Sequence, residues 1–304
     1  MRSRSAARDL EWEWVLDPTS WIRTSSFLLC ALSCHRDESD DDSSLGDPHA
    51  LIAPFARAHY YAAAMTMMRR FARAVAAACG IPSASIRLFS NSRIPEKPLA
   101  VAAGIAEFGK NGLAIVPGLG SLCVLAGAIL PVSVDDSRDV ESDADPDPCR
   151  SCTRCLDACP VGAIVAPGVV DPDQCLQGWA GRPGPVPRAV HEHWGARFYG
   201  CSSCQDVCPW NKGIQEPAPE APGEVGPSIS LRAYLGKDAA NRASMLAGSA
   251  MAMKWIAPDA LLRNGLMAAG YRRDASIRAE VMGHAQSDEA TIRAEALWAL
   301  DRLS

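Results

Sequence analysis

Eight of the chain's twelve cysteines fall between positions 149 and 208, seven of them in two runs that each end in Cys-Pro. The first run, CRSCTRCLDACP, places Cys149, Cys152, Cys155 and Cys159 at x2, x2 and x3 intervals before Pro160. The second, CSSCQDVCP, places Cys201, Cys204 and Cys208 before Pro209. At the first spacing three thiolates wrap three corners of one [4Fe–4S] cubane, and the three-residue step with its proline turns the fourth away towards a second cubane. Each run is therefore incomplete alone. By this logic Cys208 crosses over to complete the cluster of Cys149, Cys152 and Cys155, while Cys201 and Cys204 share the other cubane with Cys159. One corner stays open. Cys175 is the remaining cysteine between the runs and is assigned to it, so that eight cysteines close two [4Fe–4S] clusters. Zinc is the competing use of Cys-x2-Cys pairs, and eight thiolates could fill two closed four-ligand sites. The x2-x2-x3 spacing and the Cys-Pro endings favour iron–sulfur. Ser151, Thr153 and Ser202 stand beside the thiolates, where hydroxyls either donate hydrogen bonds that tune a cluster or simply face water.

These motifs need elements to hold them. The chain has 304 residues, 48% of them hydrophobic, enough for a sizeable core and more than one domain. Its net charge of −5 advertises no global basic field for nucleic acid. The start, MRSRSAARDLEWEW, puts acids where an apolar signal core would begin, so a cytoplasmic protein with reduced thiols is expected. The uncharged run 111–134 has the length of a membrane span, but Pro117 and four glycines divide it into two short apolar segments, read as buried strands round a Gly-Leu-Gly turn. Residues 1–36 carry Trp12, Trp14, Trp21 and a strand-like SSFLLCALS. The pattern predicts a helix from about 56 to 79, stopped by Gly80 and Pro82, a strand at 85–90 and a helix at 98–110. Cys79 and Cys123 are read as buried, inert thiols. Acidic stretches at 36–48 and 135–148 read as solvated spacers, the second placed to select a redox partner, and 216–227 as a Pro/Gly linker. From about Leu231 onward the chain reads as helices in hairpins. The expected division is 1–134, an α/β core; 135–215, a ferredoxin-like two-cluster domain; and 216–304, a linker with HEAT-like repeats, giving an α+β fold class overall.

With these stretches in view, the sequence resembles the epoxyqueuosine reductase family, cobalamin- and iron–sulfur-dependent enzymes of tRNA modification. CTRCLDACPVGAIVAPGVVDPDQC and FYGCSSCQDVCPWNK carry the resemblance most specifically, and EKPLAVAAGIAEFGKNGLAI and AHYYAAAMTMMRRFARAV extend it upstream. The resemblance runs from about residue 20 onward, the family's first sixty or so residues being largely missing or replaced. It implies a nitroreductase-like core that binds a corrinoid, a two-cluster ferredoxin-like domain and a HEAT-like tail. It also implies electrons from a flavodoxin or ferredoxin system, tRNA as partner, no membrane, and reduction of epoxyqueuosine to queuosine. Reductive dehalogenases share this general plan.

Three departures bear on the chemistry. The family's proposed proton donor is an aspartate in a Val-Asp-Ser segment, and here LFSNSRIPEKPLA places Ser90 at that position and Asn91 beside it. Neither is a carboxylic acid, and general-acid catalysis contributes about 10²–10⁴-fold. Glu107 replaces a tryptophan or a small residue, and LQGWAGRPGPVP after Cys175 has lost the family's pattern. The second reading is therefore a non-catalytic [4Fe–4S] electron-transfer protein that lost its reductase site.

Single residues carry weaker expectations. Tyr60 and Tyr61 either approach the active site or pack in the core. Lys110 follows a glycine turn, as an anion contact or an ordinary exposed lysine. His191 and His193 have strand-type metal spacing without further ligands, which favours a solvated or pairing role. Arg263, Arg272, Arg273 and Arg278 could form a basic face for RNA; interleaved with Asp259, Asp274 and Glu280, they read rather as a solvated, salt-bridged face.

Overall fold

The computed structural model describes residues 26–36, 41–132, 147–214 and 218–303. The three N-terminal tryptophans, most of the acidic stretch 135–148 and parts of the 36–48 loop and the 216–227 linker lie outside the described residues.

Strand β1 (Ser26–Ser33) is the predicted SSFLLCALS strand. Strand β2 (His49–Ile52) follows, then helix α1 (Tyr60–Cys79), strand β3 (Arg87–Phe89) and helix α2 (Glu96–Ala102). The hairpin strands β4 (Glu107–Phe108) and β5 (Ala114–Ile115) lead into β6 (Cys123–Leu130). β6 is central to a three-stranded antiparallel sheet, paired with β1 along all eight residues of each and with β3 on its other edge. Gly127 is required there, because a Cβ would lie 2.3 Å from the Phe89 ring and 2.7 Å from the Leu28 carbonyl.

Helix α1 covers this sheet, burying Tyr60, Ala64, Met68, Ala72 and Ala76 at four-residue intervals. Gly80 ends it with φ +63°, its amide bonding Ala76 O. The uncharged 111–134 run divides into β5 and β6, and among the described residues no helix is long and apolar enough to cross a membrane.

Two local expectations fail. The helix expected over 98–110 ends at Ala102: Gly104 takes φ +70° in a tight turn, and Glu107 and Phe108 then pair with Ile115 and Ala114. Cross-strand pairing overrides the local helical pattern. Cys79 is exposed rather than buried, on the last turn of α1.

The cysteine region contributes α3 (Arg154–Asp157), the hairpin β7 (Ile164–Ala166) and β8 (Val169–Val170), α4 (Leu176–Ala180), α5 (Arg188–His191), β9 (Arg197–Tyr199) and α6 (Ser203–Asp206). Strand β10 (Ser228–Ser230) begins the C-terminal part. It is followed by α7 (Leu231–Leu235), α8 (Ala239–Met245), α9 (Pro258–Arg272), α10 (Arg278–Met282) and α11 (Ala290–Arg302), the expected helical tail. A second sheet, in the order β10-β2-β9, is built from three distant segments, with β2 and β9 parallel and β10 antiparallel to β2. One core joins them: Ile52, Trp194, Phe198, Tyr234, Leu266 and Ala299 belong to the same buried cluster.

Helix α9 is the axis of that core, with every residue from Ala260 to Gly270 buried. The arginines expected on a solvated face are distributed otherwise. Arg263 is 1% exposed; Arg272 binds the His49 carbonyl at 2.7 Å and Asp41 at 2.7 Å; Arg278 binds the Leu300 carbonyl at 2.9 Å. Only Arg273, at the left-handed end of α9 with φ +53°, is left without such a contact among these four. They cap and dock helices and do not form one basic face.

Candidate iron–sulfur site

Both cysteine runs fold as short arcs of the same form. In the first, Asp147 Oδ1 accepts from Arg150 N (2.8 Å), Arg150 takes φ +42°, and Cys152 N donates to Cys149 O (2.8 Å). The hydroxyl of Thr153 donates to Asp157 at 2.9 Å; in the second, Ser202 donates to Asp206 at 3.1 Å, four residues on in both. Thr153 and Ser202, left open between bonding the sulfurs and facing water, thus hold their own arcs. The sulfurs take backbone donors instead: Lys110 N to Cys149 Sγ at 3.4 Å and Ala163 N to Cys159 Sγ at 3.2 Å. Backbone amides of Gln177 and Gly178 face Cys175, and those of Trp210 and Asn211 face Cys208.

Cys175 is delivered by the β7–β8 hairpin and stands at the head of α4, its amide bonding Asp171 O at 3.0 Å. Gly178 lets α4 approach, since a Cβ there would lie 2.0 Å from Pro172 O.

The eight thiols line two cavities. Cys149, Cys152, Cys155 and Cys208 surround one of about 80 Å³. Cys159, Cys175, Cys201 and Cys204 lie on one of about 370 Å³. Among the described residues no three His, Cys, Asp or Glu side chains converge to hold a single ion. The free thiols are unfavourably placed to ionise by themselves: burial, and then the neighbouring thiols Cys201, Cys175, Cys155 and Cys159, push Cys204 up to about 12. Burial raises Cys155, Cys175 and Cys208 as well. Such a set is held ionised by bound cationic metal, which deprotonates coordinating thiols outright.

The second motif is docked on the α/β unit by a network that sequence reading did not foresee. Asn211 Oδ1 accepts from Ser121 N (2.7 Å), its Nδ2 donates to Gln205 O (2.8 Å), and Gln205 Nε2 donates to Ser121 O (2.7 Å). Gly120 gives it room, because a Cβ would lie 2.2 Å from Asn211 Oδ1. Gln205 and Asn211 are the two amide residues within CQDVCPWN, so that wording has a mechanical reason.

The larger cavity is walled by Phe55, Leu113, Val161 and Leu176, with Tyr61 and Lys97 among its polar groups. A second cavity of about 240 Å³ adjoins it, sharing Phe55, Tyr61 and Gln177 and adding Asn91 and Trp255. Gln177 Oε1, at the junction, is buried with no hydrogen-bond partner. The two tyrosines divide: Tyr60 is core and Tyr61 faces both cavities. Burial raises the Tyr61 hydroxyl well above its ordinary range.

Ser90 carries no acid and its Oγ donates to the Leu125 carbonyl at 2.7 Å. Glu107 lies in β4, in register with Ile115. His191 pairs with Glu295 at 2.9 Å and meets the Trp298 ring edge-on at 4.5 Å, which docks α11 and makes it the pairing histidine anticipated. Lys110 meets the first cysteine arc rather than an open anion site.

Glu96 accepts from Ser92 N at 3.0 Å and Ser92 Oγ at 3.4 Å, yet burial outweighs these bonds and pushes its carboxyl from an ordinary 4.5 up to about 7. A carboxyl raised in the folded state favours folding while protonated; that contribution is complete below about 4.5 and lost as pH rises through about 7. Glu96→Gln is expected to flatten the denaturant-measured stability across this window; an unchanged pH profile would refute the assignment.

Residues 148–211 match the family described as a 4Fe-4S double cluster binding domain. The chain is 30% identical over 225 residues to the epoxyqueuosine reductase of Bacillus anthracis, covering 71% of this chain and 56% of that protein. It is 30% identical over 267 residues to that of Alicycliphilus denitrificans, covering 83% and 71%. The chain thus spans little more than half the length of the first of these relatives. The fold is similar to the crystal structure of an epoxyqueuosine reductase with a tRNA-Tyr epoxyqueuosine-modified stem loop, with TM-score 0.72 and 24% identity over 92% of this chain and 73% of that one.

Proposed function

The chain belongs to the epoxyqueuosine reductase family, and on that premise we propose that it is an iron–sulfur oxidoreductase acting on epoxyqueuosine in tRNA. In this reading Cys149, Cys152, Cys155 and Cys208 hold one [4Fe–4S] cluster, and Cys159, Cys175, Cys201 and Cys204 hold the other. The observation that carries it is the partition of eight thiols round two cavities, the second shared with the walls of the α/β unit. Thiols spread round voids suit clusters better than two single zinc ions.

A corrinoid fits the larger cavity by its chemistry. Its wall is apolar, it continues into the neighbouring cavity, and the orphan Gln177 Oε1 would accept from an amide of such a group. When bound, clusters and corrinoid supply one-electron transfer and reduction of the substrate. Opening an epoxide to an alkene consumes two electrons and two protons and releases water. The protein's part is to bind, to exclude water and to supply those protons. The nitroreductase-like core, the HEAT-like tail, the three-part division at 134 and 215, a flavodoxin or ferredoxin donor and a cytoplasmic setting complete the reading.

Ser90 favours a second reading, an electron-transfer protein without reductase activity, because its hydroxyl is committed to Leu125 O and, among the described residues, no carboxylate lines either cavity. Anaerobic reconstitution with cobalamin separates the two. Corrinoid uptake, followed by slow conversion of an epoxyqueuosine-bearing stem loop that Ser90→Asp speeds by about 10²-fold or more, supports the reductase. Absence of corrinoid uptake refutes it and leaves the electron carrier.

A further inference from the structure

Lys110 occupies an unusual position among the groups round the first cysteine quartet. It sits in the turn between β4 and β5, yet every polar part of it serves the cysteine region. Its amide donates to Cys149 Sγ at 3.4 Å, and its carbonyl accepts from Gly168 N at 2.9 Å. Its ammonium donates to the carbonyls of Arg150 at 2.5 Å and Cys152 at 3.0 Å. The side chain is thus pinned along the arc that carries three of the four thiols. Lys110 and Arg154 line this cavity, and among the described residues no carboxylate does.

We infer that Lys110 sets the reduction potential of the cluster held by Cys149, Cys152, Cys155 and Cys208, through a fixed positive charge and a backbone hydrogen bond to Cys149. The inference rests on the proposal that this quartet holds a cluster. Cluster potentials follow net charge, hydrogen bonds to sulfur and exposure. Reduction adds one negative charge to the cluster, and a fixed cation nearby stabilises the reduced form by Coulomb attraction. Lys110 therefore raises the potential. The effect is selective, because the second quartet opens on the larger cavity, where Lys110 is not part of the wall. It eases electron uptake at the cluster remote from that cavity.

The test is a potentiometric titration, followed by electron paramagnetic resonance, of the full chain reconstituted anaerobically. Lys110→Met is expected to lower one potential and spare the other, with about a tenfold fall in the reduced-to-oxidised ratio at fixed potential, ~59 mV for one electron. Lys110→Arg is expected to keep the wild-type value. Unchanged potentials in Lys110→Met, equal shifts in both clusters, or an equal shift in Lys110→Arg would overturn the inference. If Lys110→Met fails to load the first cluster, Lys110→Gln, which keeps a donor and loses the charge, decides by the same criterion. Failure of that variant to load also overturns the electrostatic role. A wild-type protein that takes up fewer than two reducible clusters refutes the cluster proposal itself, a different result.

Discussion

Cys175→Ser is expected to halve the iron of the anaerobically purified protein, from ~8 to ~4 atoms per chain, and to leave one cluster intact. Cys175 lies outside both motifs, at the head of α4, and faces the larger cavity with Cys159, Cys201 and Cys204. Serine offers a hard oxygen in place of a soft thiolate, so the second quartet drops to three competent ligands. The first quartet takes no thiol from α4 or from the hairpin before it. Iron and sulfide analysis, with the visible cluster absorbance that dithionite bleaches, reads the outcome. Retention of both clusters would refute the assignment of Cys175. Loss of both would show that the quartets are not separable.

Arg263→Met is expected to destabilise the fold by about 3–5 kcal/mol, because the buried carbonyls of Arg182 and Gly184 lose their donor and that of Trp179 keeps only backbone amides. Arg263 is 1% exposed on α9 and donates to Trp179 O (2.8 Å), Arg182 O (2.8 Å) and Gly184 O (2.6 Å). Burial lowers its own pKa to about 10, an outcome its hydrogen bonds tolerate because the charge is still retained near neutrality. The segment it grips runs directly out of Cys175 and α4. The damage should therefore reach the second quartet as well as the melting temperature. Asn264 adds bonds to Ala180 O and Phe198 O, both at 2.9 Å, and cannot replace the guanidinium fork. Equilibrium denaturation by circular dichroism measures the effect, and a loss below about 1 kcal/mol would contradict this account.

What the sequence made legible follows the range of the forces involved. The cysteine arrangement was readable because its logic is local: spacing within each arc, the proline that redirects the last thiol, and a count that closes on Cys175. Strands β1 and β6 and helix α1 were readable from apolar periodicity bounded by glycine and proline. The role of Arg263 was not, because its acceptors lie about eighty residues earlier and nothing near α9 announces them. Lys110 was hidden for the same reason, its partners lying forty residues on. Helix α2 was extended too far because the alanine-rich pattern continues past Gly104, and only pairing between β4 and β5 decides against it. The departure at Ser90 was visible as a missing acid, whereas its bond to Leu125 O could come only from the fold.

The sheet in the order β10-β2-β9 also dictates a timetable. Strand β2 is complete when residue 52 has been made, but its neighbours are residues 197–199 and 228–230. On the ribosome β2 therefore waits, unpaired, for most of the chain to emerge. The first quartet waits too, since Cys208 is some fifty residues behind Cys155. At about 5–20 residues per second this interval is several seconds or more, during which the thiols are free and an edge strand is exposed. Cluster delivery must follow, not accompany, synthesis of the cysteine region. Cells that make this chain faster than they deliver iron and sulfide should accumulate it as aggregate.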